Sequence, residues 1–207
     1  MTHQHTPPDD GDVASRIAAH AASTSGLVEQ WFGPGFAELH PLLQRLHREG
    51  GMLSGTVRID RPRGVAGWVG ARLARRLGVP VARGDAHLQV RIHGDAQGLH
   101  WDRDFDGRTR MRSLFVPVGH WPDGYWLERS AAITLALQVI VRDGGWYWRT
   151  RSAWLGGVRL PLVLLPRTAA GKRIEGDAYV FHVDIALPVL GTVLRYEGRL
   201  RLDSAIA

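Results

Sequence analysis

From residue 86 to residue 202 apolar and polar residues change places one by one through run after run, and a period of two is the period of a strand. Leu88, Val90 and Ile92 alternate with His87, Gln89, Arg91 and His93. Tyr179, Phe181, Val183, Ile185 and Leu187 form one clean stripe, and Leu194, Tyr196, Gly198, Leu200 and Leu202 form another. Upstream, Leu53, Gly55, Val57 and Ile59 alternate with Ser54, Thr56, Arg58 and Asp60. Turn chemistry separates the runs: Gly94 to Gly98, Asp106-Gly107 and Asp143-Gly144-Gly145 all read as hairpin connections. The count is about nine or ten strands, and that many antiparallel strands curl or close. The expected class is therefore mainly β (α+β): a curved antiparallel sheet or barrel-like β domain, with N-terminal helices and one helix inserted after the first strand.

Helical spacing occurs in only a few places. Phe36, Leu39, Leu43 and Leu46 recur at three and four residues before Gly50-Gly51, which predicts a helix over 36–48. Val13, Ile17 and Ala21 give a weaker signal. In Val65 to Leu77 the residues Ala66, Val69, Gly70, Leu73 and Leu77 share a face, with Trp68, Arg72, Arg75 and Arg76 away from it. That pattern describes a helix capping a sheet with its arginines in water, and it also suits an anionic membrane surface. Residues 1–11 read as a disordered polar tail, and residues 12–207 as a single β-rich domain. Ile133 to Val141 is apolar on nearly both faces and is expected to be covered on both.

A chain of 207 residues with 44% hydrophobic content can bury a core without a metal or disulfides, and with no cysteine it has no thiol chemistry. The net charge of +6 invites a phosphate reading. Of 26 basic residues, however, only Lys172 is a lysine, and the arginines are scattered among 20 acids, so no specific nucleic acid is expected. The polar start lacks the apolar core of a signal peptide and no run reaches the length of a membrane span, which points to the cytoplasm. There is no dinucleotide fingerprint and no nucleophile elbow, so neither a cofactor nor a metal is expected.

Three constellations bear on function. His100 and Asp102, with Asp104, would share one face of a strand, as would His182 and Asp184; such groups can exchange protons or bind a metal, though their alternates are the obvious core face. Arg103 lies between Trp101 and Phe105, and if it points inward it needs an acid, for which Glu197 and Asp184 are candidates, or an anionic ligand. The run from Trp154 to Pro166 is apolar yet punctuated by Gly and Pro, which predicts a loop or short helix serving as core plug, partner interface or membrane contact. With Trp146, Trp148, Arg149 and Arg151 before it, the run has the amphipathic chemistry of a membrane boundary. Together these features describe a binding domain for an apolar or amphiphilic, lipid-like small molecule. Its candidate ligand contacts are Trp101, Arg103, Trp146, Trp148, Trp154, Leu160 and Leu162, with 154–166 and the 65–77 helix near the entrance. The alternatives are a protein-interaction module and, less favoured, an enzyme using His100, Asp102, His182 and Asp184.

The runs Leu46 to Gly51, Trp101 to Gly107, and Leu187 to Gly191 followed by Leu194 to Gly198 resemble an uncharacterised bacterial family, the domain of unknown function numbered 4166. The likeness covers roughly residues 35–203. In that family the domain stands alone or behind a dehydrogenase-like nucleotide-binding domain. The resemblance thus implies the stand-alone form with a dehydrogenase-like partner, and it carries over no site residue.

Overall fold

The computed structural model describes residues 26–130, 133–161 and 167–203, and its centre is a closed antiparallel barrel. The strands are β1 (Gly51–Asp60), β2 (Gly84–Asp95), β3 (Gly98–Phe105), β4 (Thr109–Val118), β5 (Tyr125–Ser130), β6 (Ile133–Arg142), β7 (Gly145–Leu155), β8 (Val158–Arg159), β9 (Arg167–Glu175), β10 (Ala178–Leu187) and β11 (Gly191–Leu202). Each pairs with its neighbour in the chain, except that β7 pairs directly with β9 while the two-residue β8 folds back on the tip of β7. Pairing of β1 with β11 closes the ring, so ten strands form the wall. Closure gives every strand of the wall a neighbour on both sides, so no strand is left as a free sheet edge. The alternation read from the sequence becomes inside against outside: Leu88, Val90 and Ile92 are buried, while His87, Gln89 and Arg91 are exposed.

One end is covered by the segment before β1. Here α1 (Leu27–Phe32), a 3-10 turn (Gly33–Glu38) and α2 (Pro41–Glu49) replace the single helix expected over 36–48. Pro41 explains the break. It has no N–H to donate and it drives the residue before it out of the helical region, so Leu39 and His40 are extended, with ψ 148° and 139°. Leu43 and Leu46 are still buried against the barrel floor, together with Trp31, Phe32 and Phe36. The weak signal at Val13, Ile17 and Ala21 lies outside the described residues.

The opposite end carries α3 (Gly64–Leu77), the helix expected after the first strand. It crosses β11 at very short range: a Cβ on Gly70 would lie 1.9 Å from the Val193 carbonyl oxygen, so only glycine allows this approach. Its far face is open to solvent, with Arg72, Arg75 and Arg76 exposed and Trp68 66% exposed.

Two expectations are corrected. In β6 the outward Ile140 is 44% exposed although Ala136 on the same phase is buried, so the outer face is covered only in part. Trp154 to Leu160 is neither loop nor helix. β7 runs on through Leu155, turns at Gly156-Gly157 and returns as β8, because two glycines with positive φ let the hairpin close. Val158 at its tip is 69% exposed.

Candidate functional site

Residues of nine strands enclose a cavity of about 130 Å³, with Leu77 of α3 contributing to its wall. Most of the lining is aliphatic or aromatic, including Leu88, Val90, Phe115, Leu135, Leu137, Phe181 and Leu200. Two polar groupings interrupt it.

The first spans β3, β4 and β5. Arg103 Nη1 donates to Ser113 Oγ at 3.1 Å, and Ser113 Oγ donates to Glu128 Oε1 at 2.8 Å. The register produces this row, since Arg103 faces Met111 and Phe115 faces Glu128, placing all three side chains on the inner surface of adjacent strands. The Arg103 guanidinium also lies 5.2 Å from the Trp101 ring. Arginine inside the barrel therefore has its acid, but that acid is Glu128, reached through a serine. The candidates Glu197 and Asp184 are on the outer surface. Nearby, burial holds the hydroxyls of Tyr179 and Tyr196 above the ordinary tyrosine range, and the Arg103 charge opposes this.

The second grouping is deeper, at the helix-capped end. Lys172 of β9 is 2% exposed, and its Nζ lies 2.6 Å from Nε2 of His47 on α2. The ammonium position is bracketed by indole rings, 4.1 Å from the Trp101 centroid and 3.9 Å from that of Trp146. No carboxylate pairs with it among the described residues. Burial pushes the amine well below the ordinary lysine range, and the Arg103 charge pushes in the same direction. Indole faces oppose this by favouring the ammonium, while the cost of stripping water from a charge with no counter-ion favours the free amine. Burial, then the neighbouring Lys172, lowers His47 likewise. The Lys172 amine and the His47 imidazole are in direct hydrogen-bond contact. Among the described residues His47 Nδ1 has no hydrogen-bond partner, and the residue also lines a second cavity of about 220 Å³ beneath α1 and α2, beside His93.

Trp101, Arg103 and Trp148 line the cavity as residues singled out in the sequence, and Trp146 packs below it against Lys172. Trp154 and Leu160 belong to the β7–β8 hairpin; no described residue of 154–161 lines the cavity, and Leu162 lies outside the described residues. His100, Asp102 and Asp184 turn outward into surface pairings, whereas His182 is among the residues that line the cavity. His100 meets Asp95 at 2.9 Å, Asp102 faces Arg112 at 3.8 Å, and Asp184 holds Arg195 at 2.8 Å. The His182 ring packs beside Tyr147, over Gly171. Among the described residues no three His, Asp or Glu side chains converge as a metal site. Residues that sequence reasoning passed over are His47, Ser113, Glu128 and Lys172. Lys172 carried a signal: it is the sole lysine, and it falls in phase with Thr168 and Ala170 on the inner face of β9.

No helix among the described residues is long and apolar enough to cross a membrane. The model of one family, described as a domain of unknown function (DUF4166), matches residues 39–200, and the chain belongs to that family. Neither the curated proteins nor the solved structures contain a match to it.

Proposed function

We propose that this DUF4166 barrel takes up an apolar or amphiphilic small molecule, with the apolar part among Leu135, Leu137 and Phe181 and a polar or anionic end at Arg103. The observation that carries the reading is the cavity itself, an aliphatic and aromatic pocket with one charged side chain tied into a serine and a glutamate. The Arg103 charge is only partly offset, because Glu128 reaches it through Ser113, and an incoming carboxylate would complete the pairing. Titration with a fluorescent medium-chain fatty acid and with the corresponding alcohol tests this. Arg103→Leu should weaken the acid by about tenfold or more, the worth of a charge-assisted hydrogen bond, and leave the alcohol almost unchanged. Leu135→Trp should block both by filling the pocket. An unaltered protein that takes up neither compound would overturn the reading.

A second observation favours contact with an anionic membrane surface at the same end. α3 exposes Trp68 and Val65 beside Arg72, Arg75 and Arg76, and its last residue, Leu77, reaches the cavity wall. Co-sedimentation with phosphatidylserine vesicles should weaken by roughly 1 kcal/mol for each arginine replaced by glutamine. Equal binding by the triple variant would rule the surface out.

A further inference from the structure

We infer that Lys172 is a reactive amine, placed to capture an apolar aldehyde or ketone from the barrel cavity as an imine. This deepens the uptake reading and rests on it, by naming the carbonyl group as what the deep end of the pocket recognises.

Three observations converge. Lys172 lines the same cavity as the aliphatic wall, so a ligand held there lies against its stem and needs only rotation of a flexible four-carbon chain to meet the nitrogen. Among the described residues its surroundings contain indole faces and the His47 imidazole but no carboxylate, which is a setting that favours the amine as a free base. And it is the sole lysine in a chain that otherwise meets every need for a cation with arginine. Arginine cannot lose its proton in a protein and cannot add to a carbonyl, whereas a buried lysine can do both. A merely structural cation would not require this exception, and a buried unpaired one is a cost to the fold.

The step balances without an oxidant or a metal. The nitrogen lone pair adds to the carbonyl carbon while the C=O π electrons move to oxygen. One hydrogen passes from nitrogen to that oxygen, giving a carbinolamine. The hydroxyl then leaves with the second nitrogen hydrogen as water, and a C=N bond remains. His47 Nε2, already 2.6 Å from Nζ, is the base in contact that can take each proton and return it to the departing oxygen.

The test uses the full chain with decanal and cyanoborohydride, which reduces an imine to a stable secondary amine, followed by peptide mapping; decanol serves as the probe of uptake alone. Besides Lys172, the chain's N-terminus is its one other primary amine, so the map is unambiguous. The expected result is an adduct on residue 172 whose rate is nearly flat from neutral to alkaline pH. An ordinary lysine would instead accelerate about tenfold per pH unit over that range, as its free-base fraction rises. In Lys172→Met the adduct should be confined to the N-terminus while decanol still binds. If decanol binds the unaltered protein and no adduct forms at residue 172, or if its rate climbs like that of a free lysine, the inference is overturned and the uptake reading stands. If decanol does not bind and residue 172 stays unmodified, both fall.

Discussion

As pH rises from neutrality toward the ordinary lysine range the folded state should gain stability, by at most about 1.4 kcal/mol per unit, as read from urea unfolding at fixed temperature. In the unfolded chain Lys172 holds its proton up to the ordinary lysine range, whereas in the barrel burial, and then the Arg103 charge, push its pKa well below that range. The unfolded state therefore binds up to one more proton across this window, so stability rises with pH. His47 has the same sign, with a lowered folded value, so a second proton's worth of stability is lost as pH falls below the ordinary histidine range. Tyr179 and Tyr196 have the opposite sign. Their raised values mean that the unfolded tyrosines ionise first, and stability declines above about pH 10. The optimum is thus displaced well to the alkaline side of the usual range near about pH 5 to 8. Lys172→Met, close in volume and without a charge to desolvate, should flatten the slope and raise stability near neutral pH by about 3 kcal/mol. A flat profile in the unaltered protein would mean that the amine is charged inside the barrel.

Trp146→Ala should remove about 4 kcal/mol, the scale of deleting a fully enclosed indole. Its ring is completely buried and meets four aromatic neighbours: Phe32 at 5.0 Å, Trp148 at 5.1 Å, Trp126 at 6.3 Å and His47 at 4.8 Å. These belong to the helical cap and to the barrel wall, so the one side chain ties both together. Its loss also uncovers one side of Lys172, 3.9 Å away, and lets water reach the amine. The variant should therefore show a weaker gain of stability with pH as well as a lower urea midpoint. A loss of less than about 1 kcal/mol would mean that the floor of the barrel is loosely packed.

The wall of the barrel was legible because strand alternation is a local property that survives into the fold unchanged. Tyr179, Phe181, Val183 and Ile185 line the interior as their spacing requires. Phasing also places His100, Asp102 and Asp184 outside, in line with their apolar alternates Leu99, Trp101, Val183 and Ile185 facing in. Pairings across the barrel were not legible. Arg103 reaches Glu128 through Ser113 because β3, β4 and β5 lie side by side in one register, and no spacing along the chain separates Glu128 from Glu197 as its acid. His47 and Lys172 are 125 residues apart and meet only because α2 covers the end of the barrel at which β7 and β9 pair. The hairpin at 154–160 was misjudged because its glycines, read as breakers of regular structure, are what let the strand reverse.

Closure of the ring through β1 and β11 has a consequence for how the molecule comes into being. Leu53 pairs with Leu202, so the first strand waits for the last before the wall is complete. During synthesis on the ribosome, β1 to β7 can form only an open, curved meander whose two lateral borders are unsatisfied, and the α1–α2 cap has no finished floor to cover until β9 delivers Lys172 to His47. Native order therefore arrives late and nearly all at once, from contacts of high sequence separation, which is the regime of slow folding. Until β11 emerges, the chain presents unpaired backbone that invites pairing with other nascent chains.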